Sequence, residues 1–107
     1  TVSFIPYWTA ASGSGTVIFE LAGNASSNDE ALDTAAGTAQ SSTDTFIAAN
    51  DCHIGPESSA ITIGGTPAAG DLVYFEITRD VATDTLGVDA QLIGIKLLIS
   101  YDAGTDA

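Results

Sequence analysis

Asp71-Leu72-Val73-Tyr74-Phe75-Glu76-Ile77-Thr78-Arg79 alternates residue by residue. In an extended chain, successive side chains point to opposite sides, so Val73, Phe75 and Ile77 share one face and Tyr74, Glu76 and Thr78 the other. Ala90–Tyr101 has the same grammar, with Ile93, Ile95, Leu97 and Ile99 set against Leu92, Gly94, Lys96 and Leu98. Apart from Lys96 that strand is apolar on both faces, so both are expected to be covered. Thr16–Leu21 sends Val17, Phe19 and Leu21 inward and Ile18 and Glu20 outward. Val2–Trp8 and Ala60–Ile63 read as further strands, and Gly37–Thr45 and Cys52–Ile54 as shorter ones, about seven to eight in all.

The connectors agree with a β-protein. Ser12-Gly13-Ser14-Gly15 reads as a flexible loop, and Gly64-Gly65-Thr66-Pro67-Ala68-Ala69-Gly70 as a longer turn whose proline cannot serve a central strand. Ser27-Asn28-Asp29-Glu30 has the S-x-x-E spacing of a capping box, with Gly37 able to close the segment, so one short helix is predicted over Asn28–Ala36. The fold class that follows is all-β: one domain over 1–107, an antiparallel two-sheet β-sandwich with at most one short helix. An immunoglobulin-like sandwich fits less well, because one cysteine and an early Trp8 do not make its Cys…Trp…Cys frame.

Charge narrows the function. Two Lys and Arg against 14 Asp and Glu give a formal net charge of −12 in 107 residues. Such a chain has no basic patch for phosphates, which argues against nucleic acid and against polybasic attachment to anionic membranes. No apolar run approaches the ~18–20 residues of a spanning helix. The absence of Met, even at position 1, suggests a processed product or the ordered part of a longer protein.

Catalytic candidates are few. Cys52 and His53 are adjacent, but neighbours on a strand face opposite ways, so they make a poor nucleophile–base pair. Cys52 is expected to be a small buried hydrophobe and His53 an exposed or edge residue. The acids form no recognisable glycosidase pair, and a sandwich of this size leaves little room for a cleft. Neither enzymatic activity nor a cofactor is expected. Calcium is the remaining chemistry, since hard cations take oxygen ligands from acidic loops. Asp80, Asp84 and Asp89 are the weak candidates, with Asn28-Asp29-Glu30 and Asp33 as a second loop; neither has EF-hand spacing, and turn-forming roles are favoured. Tyr7, Trp8, Tyr74 and Tyr101 could offer a glycan platform or pack at a sheet edge or subunit contact.

Several strings taken together resemble a family of small β-domains in virion structural proteins and in the distal parts of head or tail appendages of tailed bacteriophages and prophages. They are Tyr7-Trp8-Thr9-Ala10-Ala11-Ser12-Gly13-Ser14-Gly15, Asn28-Asp29-Glu30-Ala31-Leu32-Asp33, the run from Ala60 through Gly64-Gly65-Thr66-Pro67 to Phe75, Asp84-Thr85-Leu86, and Asp89-Ala90-Gln91-Leu92-Ile93-Gly94-Ile95. They span nearly the whole chain in order. The resemblance implies a jelly-roll-like part of an extracellular virion, a capsid decoration or an appendage subunit, with no catalytic residue to carry over. It also implies partners: copies of the chain itself as a homotrimer, and other virion proteins. The interface candidates are Leu92 and Leu98 on the doubly apolar strand, with outward Ile5 and Ile18. The alternative is a host-surface glycan-binding module, in a phage fibre or another extracellular adhesin, that reads its ligand through Tyr7, Trp8 or Tyr74.

Overall fold

The period-two segments become six strands in the computed structural model, which describes residues 1–100. In chain order they are β1 (Val2–Thr9), β2 (Thr16–Ser26), β3 (Gln40–Thr45), β4 (His53–Ile54), β5 (Leu72–Arg79) and β6 (Gln91–Ile99). They form two antiparallel three-stranded sheets: sheet A in the order β4-β1-β6 and sheet B in the order β3-β2-β5. The inner face of β1 supplies Phe4 and Trp8, and that of β2 supplies Val17, Phe19 and Leu21. Ile61 and Leu86 join them from loops, all buried in one apolar cluster. Hence the layers pack face to face, each leaving one face outward.

Pro6 sits inside β1, where a missing N–H would ordinarily break a ladder. Backbone groups of alternate residues point to alternate neighbours. Gly55 and Ser58 donate to the carbonyls of Pro6 and Phe4, and Ile61 donates to that of Val2. Even-numbered residues therefore face the irregular 55–61 segment, and Pro6 takes no donor from the β6 ladder. The same segment explains the fate of Ala60–Ile63. It makes only isolated bridges, Ile61 to Val2 in one sheet and Gly64 to Asn24 in the other, because it crosses between the layers. The count is consequently six strands and not seven or eight.

Two other expectations change for local reasons. No helix occurs among the described residues, and Asn28–Ala36 is turn and coil. Half of the capping box does form: the Ser27 N–H donates to Glu30 Oε1 at 2.6 Å. Asp29, however, has φ 70°, which a right-handed helix cannot contain, and the following residues bond across to β2 and β5 instead. The loop 12–15 is likewise no slack linker. Gly13 (φ 128°) is pressed against Leu86, where a Cβ would lie 2.6 Å from Leu86 Cδ1. In β6 the register shifts: Tyr7 faces Gly94, Trp8 faces Leu92, and Ile93 is the extra residue of a bulge. Alternation is thereby reversed at one end of the strand. Leu92 packs on the core with Ile95 and Leu97, while Ile93 is 62% exposed.

The tightest backbone crossing is made of glycines. The Gly23 carbonyl accepts from both Gly37 N–H and Gly64 N–H, each at 2.9 Å. A Cβ on Gly37 would stand 2.5 Å from the Thr62 carbonyl oxygen, whereas one on Gly94 would meet nothing within 4 Å. Gly37→Ala is therefore expected to destabilise by roughly 1–3 kcal/mol through overpacking. Gly94→Ala should leave stability unchanged or raise it by up to about 1 kcal/mol, as alanine replaces glycine within a strand. Thermal melts of the two variants check both signs.

Candidate functional site

Trp8 is fully buried between the layers. Its Nε1–H donates to Asp44 Oδ2 at 2.9 Å, its ring stacks on His53 at 4.4 Å, and it meets Phe19 at a tilt. His53 is opposite Trp8 in the β1–β4 register, which puts its imidazole inward and leaves Cys52 exposed. The sequence-based assignment of these two neighbours is thus reversed, although they do not form a pair, as strand geometry requires. His53 Nε2 accepts the Ile47 N–H at 2.9 Å, and Nδ1 lies 2.9 Å from the Asp51 carbonyl. The Nδ1–H tautomer, assigned from this network, satisfies both contacts. Neither ring nitrogen is left to act as a base.

The acids of the β5–β6 loop are also engaged. Arg79 Nε donates to Asp84 Oδ2 at 2.7 Å, and its remaining nitrogens donate to Asp84 Oδ1 and to the carbonyls of Leu86 and Val88. This guanidinium ties the loop to the end of β5 and seats Leu86 in the core. Arg79 holds the Asp84 carboxyl below the usual carboxylate range; the Ile18 N–H adds to the effect and burial opposes it. Asp80 accepts from Thr83, and Asp89 is exposed on the loop. Asp80, Asp84 and Asp89 do not converge, and among the described residues no three His, Cys, Asp or Glu side chains group closely enough to hold a metal.

The aromatic candidates occupy three different environments. Trp8, at 0% exposure, has no surface to offer a ligand. Tyr74 lies on the outer face of sheet B, where it accepts from Asn24 Nδ2 at 3.0 Å and donates to the Leu32 carbonyl at 3.1 Å. Hydrogen bonds from Thr34 and Asn24 hold its phenol below the ordinary value. These bonds pin the 27–37 loop over a cavity of about 310 Å³ lined by Asn24, Ser26, Glu30 and Thr34. Tyr7 is half-buried on the outer face of sheet A, and Tyr101 lies outside the described residues.

The four interface candidates separate in the same way. Ile5 and Leu98 are on the outer face of sheet A, since Ile5 pairs with Lys96 and Leu98 with Ser3. Ile18 is outward on sheet B, and Leu92 is turned to the core by the bulge. A patch of all four does not form. A different one does: Ile5, Tyr7 and Leu98 share sheet A's outer face with Ile54, which pairs with Tyr7 and is 60% exposed. Sequence reading missed Ile54 because a two-residue strand carries too little alternation to assign its face. The strands of sheet A contain no Asp or Glu, although the chain has 14; Lys96 is their one charge, and Glu57 flanks the sheet at Ser3. A largely apolar face with a carboxylate only at its edge can recognise protein surface more readily than a small polar ligand.

No protein-family model, curated protein or solved structure matches the chain.

Two outcomes follow from the buried polar contacts. With the folded-state pKa of Asp84 below its unfolded one, the Arg79–Asp84 contribution is complete above the ordinary carboxylate range and is lost as pH falls through and below it. Asp84→Ala should cost about 3 kcal/mol at neutral pH. Its stability deficit should shrink steadily below about pH 4, in denaturant titrations at several pH values. Trp8→Phe should cost about 1–3 kcal/mol for the donor removed from Asp44, beyond what the smaller ring loses in packing. Asp44→Ala in the Trp8→Phe background should then cost less than in the wild type, which a double-mutant cycle measures.

Proposed function

We propose that the chain is a structural subunit of a virion, a capsid decoration or a head or tail appendage, that works by protein–protein assembly and not by catalysis. The observation that carries this reading is the outer face of sheet A. Ile5, Tyr7, Ile54 and Leu98 lie there on strands without carboxylates, in a chain of net charge −12. The resemblance of its ordered strings to phage β-domains supplies the setting. Copies of itself and other virion proteins are the partners, and the extracellular particle is the location.

A jelly-roll-like winding belongs to the same reading. The β1–β6 pair in one sheet and the β2–β5 pair in the other are nested, as in a ribbon of paired strands folded over itself, which supports it. The β1–β4 and β2–β3 pairs do not extend that nesting. A host-glycan module would have to work from Tyr7 without Trp8 beside it, and from Tyr74 on the opposite layer.

Immunogold labelling with an antibody to this chain, on particles purified from its source, tests the assignment. Gold at regular positions on heads or tails is the expected result. Particles free of label, with the chain recovered only from a non-particulate fraction, would contradict it.

A further inference from the structure

We infer that the cavity under the 27–37 loop is a binding site for a neutral, hydroxyl-rich ligand, one pyranose residue of a saccharide, a function separate from assembly. Val17, Phe19 and Leu21 point into the core, so the even-numbered residues of β2 point away from it. Asn24 and Ser26 therefore stand on the outer face of sheet B, where a polar side chain is ordinarily solvated. Both are instead buried, at 5% and 6% exposure, where the loop folds back over β2. Together with Glu30, Ala31, Ala35 and Gly65 they line the cavity of about 310 Å³.

That burial leaves polar atoms unpaired. Ser26 Oγ has no hydrogen-bond partner. It stands near the Tyr74 phenol without bonding to it, and that oxygen is engaged by Asn24 and the Leu32 carbonyl. Asn24 gives both amide hydrogens to Thr34 and Tyr74, which fixes the amide and turns Oδ1 towards Gly64 and Gly65. Glu30 accepts the Ser27 N–H on Oε1. Among the described residues, no donor reaches Asn24 Oδ1 or Glu30 Oε2. An unpaired buried polar group destabilises a fold, and a ligand that pairs it removes that cost.

The unpaired atoms define the ligand. Ser26 offers a proton, while Asn24 Oδ1 and Glu30 Oε2 accept one, so the ligand must both donate and accept, as a hydroxyl does. An ammonium has no acceptor for Ser26. A phosphate or carboxylate has no proton for Asn24 and meets Glu30 in a chain of net charge −12. A hydrocarbon would leave all three unpaired. At ~30 Å³ per water-sized group the cavity takes roughly ten such groups, close to the ring and hydroxyls of one hexopyranose. Ala31, Ala35 and Gly65 give short apolar walls for its C–H edges.

NMR titration of the ¹⁵N-labelled chain tests the site. The probes are methyl α-D-glucopyranoside, methyl α-D-mannopyranoside and methyl β-D-galactopyranoside, with ethylammonium chloride and sodium phosphate as charged controls. A ligand of this size should bind with a dissociation constant on the order of millimolar. At least one glycoside should shift the Asn24 side-chain amide and the Ser26, Glu30 and Gly65 backbone amides saturably. Ala35→Phe, at an exposed position, should fill the cavity and abolish those shifts while the chain stays folded by circular dichroism. Ser26→Ala should raise the dissociation constant at least about fivefold, yet melt no lower than the wild type, because the lost hydroxyl has no partner. No saturable shift with any of the three glycosides overturns the site, as do shifts that survive both variants. Saturation by ethylammonium or phosphate in place of the glycosides overturns the ligand class. Glycoside binding by a chain that labels no particle keeps this site and removes the assembly reading.

Discussion

The Trp8 indole is where the two layers lock, and most of the remaining geometry follows from seating it. A buried indole must place its N–H on an acceptor. Asp44, on the inner face of β3 in the opposite sheet, provides one, so the bond fixes the relative position of sheet A and sheet B. His53 then covers the ring, Phe46 covers His53, and the Ile47 and Asp51 backbone fixes the imidazole. His53, stacked on Trp8, is thus itself oriented by a further ring contact and by hydrogen bonds to the backbone. The β3–β4 connection owes its path to this chain of contacts more than to any turn motif.

A second pattern is the use made of the rare charged and polar groups. Arg79 is one of two cations, and its donors are committed to Asp84 and two carbonyls of a single loop. Asn24, buried in β2, directs its amide hydrogens to Thr34 and Tyr74, so the long 27–37 segment is fastened to sheet B without a helix. These groups maintain shape. The outer face of sheet A instead carries Ile5, Tyr7, Ile54 and Leu98, with Glu57 held at its edge by Ser3.

The fold was legible wherever strand alternation ran without interruption. Val73, Phe75 and Ile77 on β5, and Val17, Phe19 and Leu21 on β2, face the way their period dictates. Failures came where a single residue changes the local geometry. The extra Ile93 reverses which of Leu92 and Ile93 is inside, and a bulge leaves no mark in an apolar run. Asp29 takes a left-handed φ that the S-x-x-E spacing does not forecast. The roles of Cys52 and His53 were reversed because residue type suggested that the thiol would be buried, while register with Trp8 decided it. Of the candidate site, Ile5, Leu98 and Tyr7 could be read from the chain. Their association with Ile54 is a property of β1–β4 pairing and not of local sequence.

If Trp8 bridges the layers as described, its indole N–H can exchange with solvent only when the sandwich opens. Hydrogen exchange of that one proton, followed by NMR beside the slowest backbone amides of β1 and β2, is the most direct measurement of the account. Protection matching those amides, with the same dependence on denaturant, is the predicted result. Exchange at the rate of a solvent-exposed indole while the β1 and β2 amides stay protected would contradict it.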